Sequence, residues 1–136
     1  LFFTDVEGKT KDEVLKNLCR KVEKEKGLPE TFTASVLKRE ELTPTDYGNL
    51  VALPHPERAF QERAFVAVAV LKEPIFWFRQ KVQVVFLTAI GREEDENLQQ
   101  FYEATTDLIL RPADVQNLIR HPDYDRLIQL LRRAEE

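Results

Sequence analysis

Methionine is absent from this 136-residue chain, cysteine and tryptophan occur once each, histidine twice and glycine only four times. Each scarcity removes a class of chemistry. The single cysteine, Cys19, cannot form an internal disulfide, and with two distant histidines it cannot complete a four-ligand zinc site. Gly8, Gly27, Gly48 and Gly91 are too dispersed to build a phosphate-cradling loop. No serine stands on a nucleophile elbow. No apolar run approaches the ~20 residues that cross a bilayer, and no stretch has a signal-peptide pattern. Twenty basic against 24 acidic residues leave a net charge of −4, the wrong sign for direct contact with nucleic acid. The expectation is therefore a protein of the cytoplasm without metal, cofactor or membrane insertion. The missing start methionine adds the expectation of a single domain, residues 1–136, excised from a larger multidomain protein.

What is present has the composition of an ordinary globular domain, 43% hydrophobic and 32% charged. Such a length buries roughly two-thirds of the surface that the unfolded chain exposes. Leu1 to Thr4 reads as a short edge strand. Thr10 with Glu13 matches a capping box; Val14, Leu15, Leu18, Cys19 and Val22 then share one helical face, and Gly27 ends the helix. Cys19 lies inside that stripe and reads as core filling, not as a reactive thiol. Pro29 introduces a second helix, Glu30 to Glu41, whose buried side carries Phe32, Val36 and Leu37.

Ala64 to Leu71 and Val82 to Ile90 are the strongest strands. One is apolar on both faces and the other nearly so, as in sheet interior covered by helices on both sides. Between them, Pro74-Ile75-Phe76-Trp77-Phe78 is too short for a crossover helix; it either turns the chain or adds a brief extended piece. Trp77 is either an exposed docking residue or part of an aromatic core or rim. Glu93 to Leu110 reads as a helix with an acidic start, Glu93-Glu94-Asp95-Glu96, suited to the positive end of its dipole. Its inner face carries Leu98, Phe101, Tyr102, Thr105, Leu108 and Ile109. Pro112 breaks it. Val115, Leu118 and Ile119 mark a short helix, and Pro122 opens a last one with Tyr124, Leu127, Ile128 and Leu131 facing inward. The expected fold is α/β, a mixed β-sheet of about four to five strands sandwiched between helices.

The chemically distinctive stretch is Gly48-Asn49-Leu50-Val51-Ala52-Leu53-Pro54-His55-Pro56. A strand over Leu50 to Leu53 must stop at Pro54, which cannot donate to a ladder. Pro56 pushes His55 toward an extended backbone. A histidine on so stiff a tether loses little freedom on meeting a partner. Imidazole in general is mostly neutral at pH 7, with a lone pair free to attack. The pattern by itself also fits a loop histidine satisfied by a neighbouring carbonyl. His121, beside Pro122 at a helix entrance, reads as an exposed surface residue.

Arg39-Glu40, Thr45, Gly48 and Val51-Ala52-Leu53-Pro54-His55, at their spacing, resemble the active-site signature of enzyme IIA domains of the fructose/mannitol type. These domains belong to the bacterial phosphoenolpyruvate-dependent sugar phosphotransferase system. The likeness extends over nearly the whole chain, through the first helix, the Pro74–Trp77 connection, the Val82–Ile90 strand and the closing helices. It implies that His55 accepts a phosphoryl group from the histidine-containing phosphocarrier protein and can pass it on. It implies that Arg39 stands near the phosphohistidine, where a guanidinium can bind two peripheral oxygens at once. A salt bridge to a nearby glutamate is the alternative for Arg39. Thr45 either contributes a hydroxyl or only caps the turn. Many members carry a second histidine, followed by leucine, at the start of the helix after the long strand; the matching pair here is Asn97-Leu98. Asn97 can hydrogen-bond beside the phosphate but cannot carry charge as an imidazole can, so onward transfer to a IIB component is expected to be inefficient.

Pro56, Asn97 and the missing methionine together point to a regulatory IIA-like domain from the C-terminal end of a transcriptional regulator of the antiterminator/activator kind. Its partners would be the phosphocarrier protein and neighbouring regulation domains, and phosphorylation would switch it more than it turns over as an enzyme. One alternative is a catalytic IIA component that serves the IIB domain of a sugar transporter. The other is a binding module whose histidine is never phosphorylated.

Overall fold

The structure is a computed structural model that describes residues 1–93 and 96–132. Its strands are β1 (Phe2–Phe3), β2 (Asp46–Gly48), β3 (Leu50–Ala52), β4 (Phe65–Phe76) and β5 (Lys81–Ala89). Its helices are α1 (Lys11–Lys26), α2 (Thr31–Leu42), α3 (Glu96–Ile109), α4 (Pro112–Arg120) and α5 (Tyr124–Arg132). The strands form one five-stranded mixed sheet in the order β1-β4-β5-β3-β2. β1 runs parallel to β4, β3 runs parallel to β5, and the other two pairings are antiparallel.

The doubly apolar strands explain the layering. Successive side chains on a strand point to opposite faces. Ala67, Ala69 and Leu71 of β4, with Val85 and Leu87 of β5, meet Leu15, Leu18, Val22, Phe32 and Val36 of α1 and α2. The alternate residues Val68, Val70, Val84 and Phe86 meet Leu108, Val115, Leu118, Leu127 and Leu130 of α3, α4 and α5. Helices thus cover both faces. The Thr10 hydroxyl accepts from Glu13 N at 3.2 Å, and Gly27, at φ 66°, closes α1 in the left-handed region that glycine favours.

Several elements differ from the sequence expectation. β4 continues to Phe76, so Pro74-Ile75-Phe76 is strand, and a tight turn over Trp77–Gln80 completes a hairpin with β5. Pro74 is tolerated because the register shifts between Val70 and Ile75, a bulge where no ladder donor is needed. Gln83 Nε2 donates to the bulge carbonyls of Leu71 and Lys72 at 2.9 and 3.2 Å. β2 was not anticipated. It reaches β3 through Asn49 and Leu50, both at positive φ (50° and 69°), the two-residue geometry normally filled by Asn-Gly. A leucine there costs about 1 kcal/mol or more, and Asn49 Nδ2 holds the turn by donating to Ile109 O at the end of α3. α3 is described from Glu96 and does not include Glu93, while Glu94 and Asp95 of the expected acidic start lie outside the described residues. α5 starts at Tyr124, not Pro122, and Asp123 Oδ1 caps it by accepting from Arg126 N at 2.8 Å. Tyr124 does not face inward: it shares the side of Leu127 but sits at the helix tip, 57% exposed. Among the described residues no helix is long and apolar enough to cross a membrane.

Cys19 is fully buried, and burial together with the Glu23 carboxylate pushes its thiol well above the ordinary range. A thiol reagent at pH 8 should leave the native protein unmodified and label Cys19 only as denaturant unfolds it. Labelling at the rate of a free thiol in the native state would contradict this packing.

Candidate functional site

Positioning of His55 begins one element earlier, on α2. Phe32, Val36 and Glu40 follow one another at helical spacing on the buried side, so the stripe ends in a carboxylate that is only 2% exposed. Glu40 Oε1 accepts from Trp77 Nε1 at 2.6 Å and from Thr45 N at 2.8 Å, while Oε2 accepts from the Thr45 hydroxyl at 2.8 Å. Trp77, 4% exposed, is therefore core, with its indole N–H satisfied. The α2–β2 loop is thereby tied to the β4–β5 hairpin. A second tie lies next to it: Asp46 Oδ2 accepts from Arg79 N at 2.7 Å and Gln80 N at 3.1 Å.

Thr45 passes this constraint on, because Leu53 N donates to its carbonyl at 3.0 Å. Pro54 cannot donate, but its carbonyl accepts from Thr88 N of β5 at 3.0 Å, so the peptide just before His55 stays attached to the sheet after β3 has ended. Beyond the histidine, Glu57 N donates to the buried Ser35 hydroxyl of α2 at 2.7 Å. Pro54 and Pro56 are both buried while the His55 ring between them is half-buried. The ring is accessible on a backbone clamped at both ends.

His55 Nδ1 lies 3.3 Å from Leu53 O. A carbonyl only accepts, so this contact places the imidazole proton on Nδ1 and leaves the lone pair on Nε2. His55 shares a hollow of about 260 Å³ with Pro44, Thr45, Asp46, Tyr47, Leu53 and Tyr102. A larger groove, of about 830 Å³, runs between the β1–α1 loop and the β4 bulge and contains none of these residues.

Of the residues singled out in the sequence, the hollow brings together His55 and Thr45. The Thr45 hydroxyl spends its proton on Glu40, which makes it a cap for the turn. Arg39 is half-buried and is not in the lining; its Nη1 donates to Thr43 O at 2.9 Å, at the start of the same loop. It makes no ion pair with a glutamate among the described residues. Asn97 is exposed in the first turn of α3, and His121 is exposed at the end of α4 with its N–H on Asn117 O. Neither lines the hollow. Sequence reasoning gave Glu40 no role, although an acid at the end of an apolar stripe is a signal of buried hydrogen bonding. It also placed Tyr102 in the helix's inner face. The ring is half-buried at the hollow, with Oη 2.8 Å from Thr88 Oγ1.

A family model described as phosphoenolpyruvate-dependent sugar phosphotransferase system, EIIA 2, matches residues 1–134. Over 127 residues the chain is 35% identical to the "Probable licABCH operon regulator" of Bacillus subtilis (strain 168), covering 93% of this chain and 20% of that protein. Over 120 residues it is 27% identical to the transcriptional regulator ManR of the same organism, covering 88% and 18% respectively. The chain thus spans about a fifth of the length of these curated relatives. The crystal structure of IIA mannitol from Escherichia coli matches with a TM-score of 0.75 at 19% identity, over 95% of this chain and 94% of that one. Enzyme IIA from the E. coli complex with phosphorylated enzyme IIB for mannitol matches with a TM-score of 0.76 at 18% identity, over 95% and 92%. At such identities the likeness to these structures is one of fold.

Trp77→Phe removes one donor from the buried Glu40 carboxylate and should cost about 1.5–3 kcal/mol in denaturant melts. Glu40→Ala strands Trp77 Nε1 and Thr45 N and should cost at least about 3 kcal/mol. The two changes together should cost clearly less than their sum. Strict additivity would mean that the two groups do not interact.

Proposed function

The chain belongs to the EIIA 2 family of the phosphoenolpyruvate-dependent sugar phosphotransferase system, and from that premise we propose that it is a regulatory domain that accepts a phosphoryl group on His55 from the histidine-containing phosphocarrier protein. The observation that carries this reading is the placement of His55: a ring open to a hollow, on a clamped backbone, with Nδ1 3.3 Å from the Leu53 carbonyl, which supports Nε2 as the nucleophile. In the transfer, the Nε2 lone pair attacks phosphorus and forms a new P–N bond. The P–N bond to the donor's imidazole breaks, and that ring leaves with the electron pair. The Nδ1 proton stays on His55 and faces Leu53 O, which offsets the positive charge the ring acquires. No external base is required.

Phosphoryl transfer asks for little beyond alignment and donors for the peripheral oxygens. A tether fixed at Leu53, Pro54 and Glu57 supplies alignment. We assign Arg39 to the phosphoryl oxygens. Among the described residues one of its donors is placed, on Thr43 O, two residues before Thr45 of the hollow, and the rest of its planar fork suits an anion. Asn97, from the first turn of α3, is assigned a supporting hydrogen bond.

The regulatory half of the proposal draws on the relatives, two regulators of which this chain would correspond to one domain. Phosphorylation would add about two negative charges and three acceptor oxygens beside the Asp46 carboxylate. That change would alter docking to neighbouring regulation domains of a longer cytoplasmic protein, and so report sugar flux to transcription. Asn97 in the place of a second imidazole fits a site that holds its phosphate instead of passing it quickly to a IIB domain.

Incubation with phosphoenolpyruvate, enzyme I and the phosphocarrier protein should add one acid-labile phosphoryl group to the wild type and to His121→Ala, and none to His55→Ala, as read by intact-mass spectrometry. Label on a folded His55→Ala protein would move the site elsewhere. Added IIB domain should discharge the label slowly; rapid discharge would favour a transfer component.

A further inference from the structure

Building on the assignment of His55 as the phosphoryl acceptor, we propose that Tyr102 binds the phosphoryl group through its hydroxyl, and that the buried Thr88 is the residue that aims it. Among the described residues the hollow has three side-chain hydroxyls, on Thr45, Tyr47 and Tyr102, and no Lys or Arg in its lining. A phosphoryl oxygen arriving there needs a donor already in place. Thr45 has committed its proton to Glu40 Oε2. Tyr47 stands 56% exposed on the edge strand β2, and a donor that must be ordered from solvent contributes less. Asp46 presents only acceptor oxygens, one already taken by Arg79 N and Gln80 N. That leaves Tyr102.

The Tyr102–Thr88 pair has one proton to spare. Two hydroxyls 2.8 Å apart own two protons and share one hydrogen bond, which either can donate. Thr88 is fully buried, and among the described residues its hydroxyl has Tyr102 as its one partner. With the hollow empty, either orientation serves. When a phosphoryl oxygen occupies it, Thr88 donates to Tyr102 Oη, and the phenol proton turns toward the oxygen. Both hydroxyls are then satisfied without movement of any heavy atom, and a phenol that accepts one bond donates the next more strongly. The same Thr88 holds the Pro54 carbonyl through its backbone N–H. One residue of β5 therefore sets the position of the histidine's tether and of the tyrosine's hydroxyl together.

The test compares wild type with Tyr102→Phe, Thr88→Val and Thr88→Ser, each checked for an unchanged circular dichroism spectrum. Two donors are used: the phosphocarrier protein, and phosphoramidate, from which the P–N bond to nitrogen breaks, ammonia leaves and the bond to His55 forms. Tyr102→Phe and Thr88→Val should each lower the phosphorylation rate at saturating donor roughly tenfold, with the donor KM unchanged, and by a similar factor with phosphoramidate. Both should shift the phosphohistidine 31P resonance, while Thr88→Ser, which keeps the hydroxyl, should behave as wild type. A wild-type rate and an unshifted resonance in Tyr102→Phe overturn the proposal. So does a raised KM with an unchanged saturating rate, which would make Tyr102 a docking residue. Wild-type protein that takes no label at all, or label retained in His55→Ala, overturns the His55 assignment itself, an outcome distinct from the first because there the wild type is labelled normally.

Discussion

Glu40 is an acid with 2% exposure and no ion pair among the described residues, and the arrangement around His55 depends on it. A buried carboxylate costs several kcal/mol in lost hydration, and charge-assisted hydrogen bonds return about 1.5–3 kcal/mol each. Three such bonds roughly offset the cost, so the network contributes specificity more than net stability. Its donors come from the α2–β2 loop and from the β4–β5 hairpin, which the Asp46 bonds to Arg79 N and Gln80 N also join. Through Thr45 the constraint reaches Leu53, and from Leu53 the chain enters the proline-bounded histidine. A residue on the opposite side of the loop from the chemistry thus decides where the chemistry stands.

The site combines stiffness of backbone with freedom of solvent access. Hydrogen bonds at Leu53, Pro54 and Glu57 fix the tether, and two buried prolines remove the remaining backbone freedom. The strained Asn49–Leu50 turn belongs to the same design. It folds β2 back against β3 so that Asp46 and Tyr47 wall the hollow, and the Asn49 bond to the end of α3 holds it there. α3 in turn delivers Tyr102 to the opposite wall. The hollow is assembled from both layers of the fold, which couples its shape to helix packing on either side of the sheet.

Much of this was legible because the signals are local. Two strands apolar on both faces imply a covered sheet, a capping box followed by a 3.6-residue stripe implies α1, and prolines constrain their own neighbours whatever the tertiary context. What escaped notice depends on contacts between distant residues. Leu50 at positive φ has no sequence signal, since glycine is the residue that marks such turns, and β2 is too short to show a period. The Pro74–Phe78 connection left a turn and an extended piece both open, and the bulge that lets Pro74 sit in β4 has no local signal. The indole of Trp77 left two readings open until its partner, 37 residues away, was visible. Tyr102 fell into an apolar stripe by spacing, and only the Thr88 hydroxyl opposite reveals its second face. Arg39 and Asn97 were singled out by family likeness, which composition and spacing alone do not carry.

The proposed chemistry turns on which nitrogen of which ring receives phosphorus. NMR of 15N-histidine-labelled protein, phosphorylated enzymatically, reads this directly through 31P–15N coupling and the ring nitrogen shifts. Coupling to Nε2 of His55 is expected, with Nδ1 still carrying its proton against the Leu53 carbonyl. Phosphorus on Nδ1, or on His121, would contradict it.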